Sequence, residues 1–194
     1  MLDQRVWAIR AEAAAERSPR RVLRLRDELG QWESRWPGFG PIIHFTTLGW
    51  AMITHQPSLC QALLDGAGPY LSVWRRFGLP GWAARDQLTM AEAYLADGDP
   101  QRAEQVMEMA RPELERSPAN QIDVSYLEAR LALAAGRCDE ARRLVEPAVA
   151  LAMVAGAFER EQYGRGLLYL CEHSKGETRS LNQAPSTFPP AGVK

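Results

Sequence analysis

Lysine is almost missing from this chain: Lys175 and Lys194 are the only two, and arginine carries nearly all of the positive charge. That bias alone implies no function. Cysteine is scarce too. Cys60, Cys138 and Cys171 are odd in number and widely spaced, which excludes a disulfide framework and points to a reducing, cytoplasmic setting. No apolar stretch approaches the roughly 18 uninterrupted residues of a membrane-span candidate. The start, MLDQRVWAIRAEAAAER, lacks the apolar core of a signal peptide. A one-signed charge is missing as well: the formal net charge is -1, so no global field favours nucleic acid or an anionic membrane, and neither is expected as a partner.

The chemical motifs are equally sparse. There is no Gly-x-Ser-x-Gly elbow, no His-Glu-x-x-His and no Ser-x-x-Lys. His44, His55 and His173 are not spaced as metal ligands. Cys171 and His173 stand two apart on a helix and point away from each other, whereas a zinc site usually needs four ligands. Asp97-Gly98-Asp99 is too short for a calcium loop and suits a helix stop followed by a cap. The sequence therefore names no catalytic residue, metal or cofactor, and the expectation is a protein that is not an enzyme.

What the chain does contain is a repeat. AEAYLADGDPQRAEQVMEMA (91–110) superposes without a gap on ARLALAAGRCDEARRLVEPA (129–148), at an offset of 38. Ala91 falls on Ala129, Gly98 on Gly136, Ala103 on Ala141 and Ala110 on Ala148. Small residues let two helices approach closely, and each glycine ends a helix where a left-handed backbone is needed. Pro19 and Pro57 are also 38 apart and open amphipathic runs. Asp99-Pro100 and Cys138-Asp139 take the same place later, proline being harmless in a first turn where its missing N–H has no partner to lose. Pro57 and Pro100 are 43 apart, which predicts about five extra residues in the loop around Gly78-Leu79-Pro80-Gly81.

Nine helices are predicted, at about 2–17, 19–34, 41–55, 57–77, 82–97, 100–116, 119–135, 138–155 and 158–174. No segment shows sustained period-two alternation, so strands are not expected. The fold class is all-α: a right-handed α-solenoid of about four helical hairpins plus an unpaired C-terminal helix. Residues 1–174 form the repeat domain, and 175–194, with three prolines and little apolar content, a disordered tail. Pro69 and Pro112 each stand twelve residues after the proline that opens their helix. An interior proline costs about 3 kcal/mol, so either both helices bend there or both end there and a short second helix follows.

These columns resemble the tetratricopeptide repeat. Its small residues in the first helix appear as Ala91 and Ala129, and its aromatic as Tyr94. Its second-helix alanines appear as Ala103 and Ala141, then Ala110 and Ala148, with Val22, Leu29, Cys60 and Ala67 in the same columns of earlier units. The period departs from the usual length of about 34. From about residue 45 to 110, the succession LGWAMITH, RRFGLPGW and AEAYLADGDP also resembles the helical repeat region of MalT-like bacterial transcriptional regulators and related signalling ATPases. The chain lacks their Gly-x-x-x-x-Gly-Lys-[Ser/Thr] phosphate loop.

The resemblance implies a concave surface built from the first helices of successive units, where a protein or peptide binds. Its inward positions carry over to Arg85, Leu88, Glu92 and Leu95, then Asp123, Tyr126 and Arg130. Of these, Arg85, Glu92, Asp123, Tyr126 and Arg130 would form a mixed-charge groove. The alternative function is the ligand-sensing repeat domain of a bacterial regulator or signalling ATPase. The last helix leaves Leu167, Leu168 and Leu170 without a successor, which makes a homodimer through it possible. Six tryptophans (Trp7, Trp32, Trp36, Trp50, Trp74, Trp82) crowd the first 82 residues and read first as core, second as an adhesive patch. Arg17, Arg20, Arg21 and Arg24 share a helix face and read as solvated, with Asp27 and Glu28 following at once.

Overall fold

The computed structural model describes Arg24, Asp27 and residues 39–116 and 118–173. Every regular element among them is a helix: α1 (Phe39–Ile53), α2 (Pro57–Asp65), α3 (Gly68–Arg76), α4 (Pro80–Ala96), α5 (Pro100–Leu114), α6 (Pro118–Ala134), α7 (Cys138–Val154) and α8 (Phe158–His173). The predicted helix 2–17, the predicted helix 19–34 apart from Arg24 and Asp27, and the tail 175–194, with Arg17, Arg20, Arg21, Val22, Leu29, Trp7, Trp32 and Trp36, lie outside the described residues. Arg24 is exposed. Among the described residues no helix is long and apolar enough to cross a membrane.

The punctuation of the chain sets the helix ends. Pro57, Pro80 and Pro100 stand in the first turns of α2, α4 and α5. Asp99 caps α5, its carboxylate accepting the Arg102 backbone N–H at 3.0 Å. The stops are more uniform. Gly78, Gly98, Gly136 and Gly156 all have positive φ, between 65° and 84°. After each, the next amide reaches back five residues, from Leu79 to Trp74, Asp99 to Tyr94, Arg137 to Ala132 and Ala157 to Ala152, at 2.8–2.9 Å. This closure ties up carbonyls that a helix end leaves bare. His55 occupies the matching position after α1, with φ 54°, and Gln56 makes the same bond to Ala51. One non-glycine residue thus performs the turn that glycine performs elsewhere.

The prolines Pro69 and Pro112 part ways. The expected helix 57–77 ends at Asp65, and Pro69 sits in the first turn of a separate helix, α3. Pro112 stays inside α5, as Pro147 does inside α7. Local composition explains the difference. Gly66 and Gly68 flank the break, and glycine is a poor helix former; around Pro112 the neighbours are Met109, Ala110, Glu113 and Leu114, which sustain the helix. Pro112 and Pro147 are exposed, so the carbonyls of Glu108 and Arg143, deprived of an amide partner, lie on the wet side. The five extra residues are also relocated. They do not lengthen the turn at 78–81; α2, α3 and the two residues between them replace the single 15-residue helix that α5 forms one unit later.

From α3 onward each helix packs on its neighbour in sequence, most extensively α4 on α5, α6 on α7 and α8 on α7, and α1 lies against α2, α3 and α4. The alternate helices α4 and α6, and then α6 and α8, also touch. The recurring small residues are the seams of this packing. Ala91, Ala103, Ala110, Ala129 and Ala141 have no exposed surface, and Ala148 has 4%; Cys60 and Ala67, in the same columns of the earlier unit, are buried too. One apolar cluster runs from α1 to one side of α6, a second from α6 to α8. Between them Arg111 of α5 bridges Glu128 of α6 at 2.6 Å and Glu108 at 2.7 Å.

Leu167 belongs to the second cluster, with Leu168 and Leu170 half-buried against it. Of the leucines that point to a homodimer through the last helix, Leu167 is thus buried against the chain's own α6 and α7, and the other two keep part of their surface open. The outward side of α8 carries Gln162, Arg165, Gly166 and Tyr169 instead.

Candidate functional site

The succession α4, α6, α8 gathers most of the residues expected in the groove, and α8 supplies the link between them. Arg160 of α8 grips Asp123 of α6 with two parallel hydrogen bonds, Nε to Oδ1 at 2.8 Å and Nη2 to Oδ2 at 2.9 Å. Both side chains keep a quarter to a third of their surface exposed (30% and 23%), so the pair is wet at its edge. This fork geometry fixes orientation as well as charge. The Arg160 carbonyl in turn accepts the Tyr126 hydroxyl at 2.8 Å. The Tyr126 ring meets Tyr163 with centroids 5.5 Å apart.

Tyr163 ties in two more of the groove residues, Arg130 and Glu92. Its hydroxyl accepts a hydrogen bond from the Arg130 guanidinium, and the carboxylates of Glu92 and Asp123 lie close enough to bear on its charge. Burial pushes the Tyr163 hydroxyl above its ordinary value, with Arg130 opposing. Burial, reinforced by Asp123, pushes Tyr126 up to about 12. Both phenols are protonated at neutral pH. They offer hydrogen bonds and area rather than proton transfer.

Four of the five expected groove residues, Glu92, Asp123, Tyr126 and Arg130, thus share one neighbourhood. Their roles are not equal. Tyr126 is 4% exposed and is spent inside, as are Leu88 and Leu95 on α4, which the repeat columns place on the open face. Asp123 is held by Arg160. Arg130 and Glu92 remain half-buried at the rim. Arg85 is exposed two turns before Glu92 on α4.

Two residues of this site, Arg160 and Tyr163, are not singled out by the sequence pattern, although the repeat offset holds a signal. Leu88, Tyr126 and Gly164 are successive steps of 38. Stacked helices bring such equivalent positions together, and a large side chain at one requires a small one at the next. Gly164 is that small residue: a Cβ there would lie 2.5 Å from the Tyr126 Oη.

A second constellation lies at the start of α4. The Trp74 indole N–H donates to Asp86 Oδ2 at 2.5 Å. Trp74 also packs on Trp82, with ring centroids 5.5 Å apart. Burial pushes the Asp86 carboxyl up to about 7, against the pull of the Trp74 hydrogen bond and of Arg85. Of the tryptophans described, Trp50 and Trp74 are core and Trp82 is half exposed.

Two further titratable groups, His44 and Cys60, are built into the packing. His44 is buried, bonded through Nε2 to the Leu63 carbonyl at 2.8 Å and stacked on Tyr70, which joins α1 to α2 and α3. Burial lowers its pKa and keeps it neutral. Cys60 is a buried thiol pushed up to about 11, chiefly by desolvation. Among the described residues no three His, Cys, Asp or Glu side chains gather as a metal site. No family model matches the chain, and no curated protein or solved structure shows significant similarity to it.

Proposed function

We propose that the chain is a tetratricopeptide-like α-solenoid that binds a protein or peptide segment on the face lined by α4, α6 and α8, and that it is not an enzyme. The observation that carries this reading is the contact of α4 with α6 and of α6 with α8, beside the pairing of α4 with α5, α6 with α7 and α7 with α8. In a helical-repeat stack, the first helices of successive hairpins adjoin in this way and form a continuous concave surface.

The chemistry of that face suits a polypeptide. Arg130 and Glu92 offer a donor and an acceptor at the rim, and Tyr163 gives aromatic area with one polar tip. The Asp123–Arg160 pair and the buried Tyr126 hold the floor in one geometry, which limits the ordering that a ligand must impose.

A random-peptide display library panned on the intact chain tests the reading. Peptides captured on this face lose about tenfold in affinity when Arg130 becomes Ala or Glu92 becomes Ala. Arg116→Ala, in the turn that follows α5, leaves them unchanged. Capture insensitive to both face variants would exclude the proposed groove.

A further inference from the structure

Residues 66–85 contain three arginines and no acidic residue. The same stretch holds a cluster of large apolar side chains left open to solvent around the α3–α4 turn: Phe77 at 58%, Leu79 at 41% and Trp82 at 51%. Arg75, Arg76 and Arg85 flank them in the chain, all exposed, and none has a carboxylate within ion-pair distance among the described residues. The two nearest acids in sequence are engaged elsewhere. Asp65 accepts from the Gln61 amide at 2.7 Å, and Asp86 is held by the Trp74 indole. An exposed apolar cluster flanked by charges of one sign, without ion pairs among the described residues, is an unusual surface for a chain whose net charge is -1.

We propose that the α3–α4 turn docks an acidic, amphipathic segment of a partner protein. Its apolar side chains lie on Phe77, Leu79 and Trp82, and its carboxylates meet Arg75, Arg76 and Arg85. Charge complementarity sets the sign of the partner, since arginine pairs with a carboxylate through two parallel bonds. The shape sets its class. Each apolar residue is about half covered by the fold, so the three make a shallow floor rather than a prong that could enter a bilayer. The floor is also rigid: Trp74, packed on Trp82 and hydrogen-bonded to Asp86, fixes the ring that serves as the anchor. Fixed tryptophans surrounded by arginine are the residues that dominate binding energy at protein interfaces. The surface is independent of the groove, as neither Glu92 nor Arg130 takes part in it.

The test pans the same peptide library on the intact chain and asks which clones depend on this turn. Expected are peptides rich in Asp or Glu interleaved with Leu, Phe or Trp. Their affinity falls about tenfold in Trp82→Ala and in Arg76→Glu and weakens as salt rises. Arg130→Ala leaves them unaffected, which separates this surface from the groove. Arg76→Glu alters only an exposed side chain, and circular dichroism checks that both variants keep their helices. The proposal is overturned if no clone depends on the turn, if the dependent clones are neutral or basic, or if they respond to Arg130→Ala alone. It is equally overturned if phosphatidylserine vesicles, and not the peptides, shift the tryptophan emission, or if light scattering shows the turn closed by a second copy of the chain.

Discussion

Gly164→Ala is the sharpest test of the packing between α6 and α8. In an exposed helix interior this exchange stabilises by about 0.5–1 kcal/mol, because alanine loses less backbone freedom on folding. At position 164 the new methyl would lie 2.5 Å from the Tyr126 Oη and 2.8 Å from its Cζ, and would strike Val149 from the other side. Neither neighbour has room to yield, since Tyr126 and Val149 are both buried. Overpacking of this kind costs about 1–3 kcal/mol, and a displaced Tyr126 also loses its bond to the Arg160 carbonyl, worth about 0.5–1.5 kcal/mol. The expected net is a loss of about 1–3 kcal/mol after the propensity gain. Gly166 is the internal control, exposed on the same helix, where an added methyl would meet nothing within 4 Å. Gly166→Ala should stabilise by about 0.5–1 kcal/mol. Urea unfolding of both variants reads the difference, and Tyr126→Phe, which removes the nearest Tyr126 atom, should recover part of the loss in the double variant. If both glycine variants shifted the midpoint alike, the close approach of α6 and α8 at Gly164 would be refuted.

Other consequences follow from single features. Gly136→Ala meets no neighbour but must adopt φ 74°, so it should cost about 1 kcal/mol by urea unfolding, with an unchanged slope. Arg160→Ala removes both bonds to Asp123 and should destabilise by about 1–2 kcal/mol, less at high salt; a salt-independent loss would mean that the stem's packing, not the pair, matters. Asp86 takes up its proton more readily folded than unfolded, because burial raises its pKa to about 7. The folded state therefore binds more protons between the ordinary carboxylate range and about 7, and this group's contribution to stability falls as pH rises through that window. Asp86→Asn keeps an acceptor for Trp74 and should flatten this part of the pH profile of the urea midpoint; an identical slope in wild type and variant would contradict the assignment.

The helix inventory was legible because glycine and proline state their conformations locally. Pro100 opens α5 where expected, Gly98 and Gly136 close α4 and α6 with the left-handed backbone inferred for them, and Ala91, Ala103, Ala129 and Ala141 lie at buried seams. The break at Gly66–Ala67 was harder, since the 12-residue spacing of Pro69 and Pro112 suggests one behaviour for both. Flanking glycine, not the proline, decides the outcome. The site was legible at the level of faces but not of partners. The carried-over positions Glu92, Asp123, Tyr126 and Arg130 fall in one neighbourhood, yet Leu88, Leu95 and Tyr126 point inward into the core. Side-chain partners on α8 lay beyond the matched units, and a half-open tyrosine cannot be told from a buried one until the glycine opposite it is recognised.

Hydrogen–deuterium exchange of the intact chain, with and without a groove-selected peptide, decides whether α4, α6 and α8 form the binding face. Exchange should slow in these three helices at segments containing Glu92, Arg130 and Tyr163, with α5 and α7 unchanged. Protection confined to α5 and α7 would place the ligand on the opposite side and overturn the assignment.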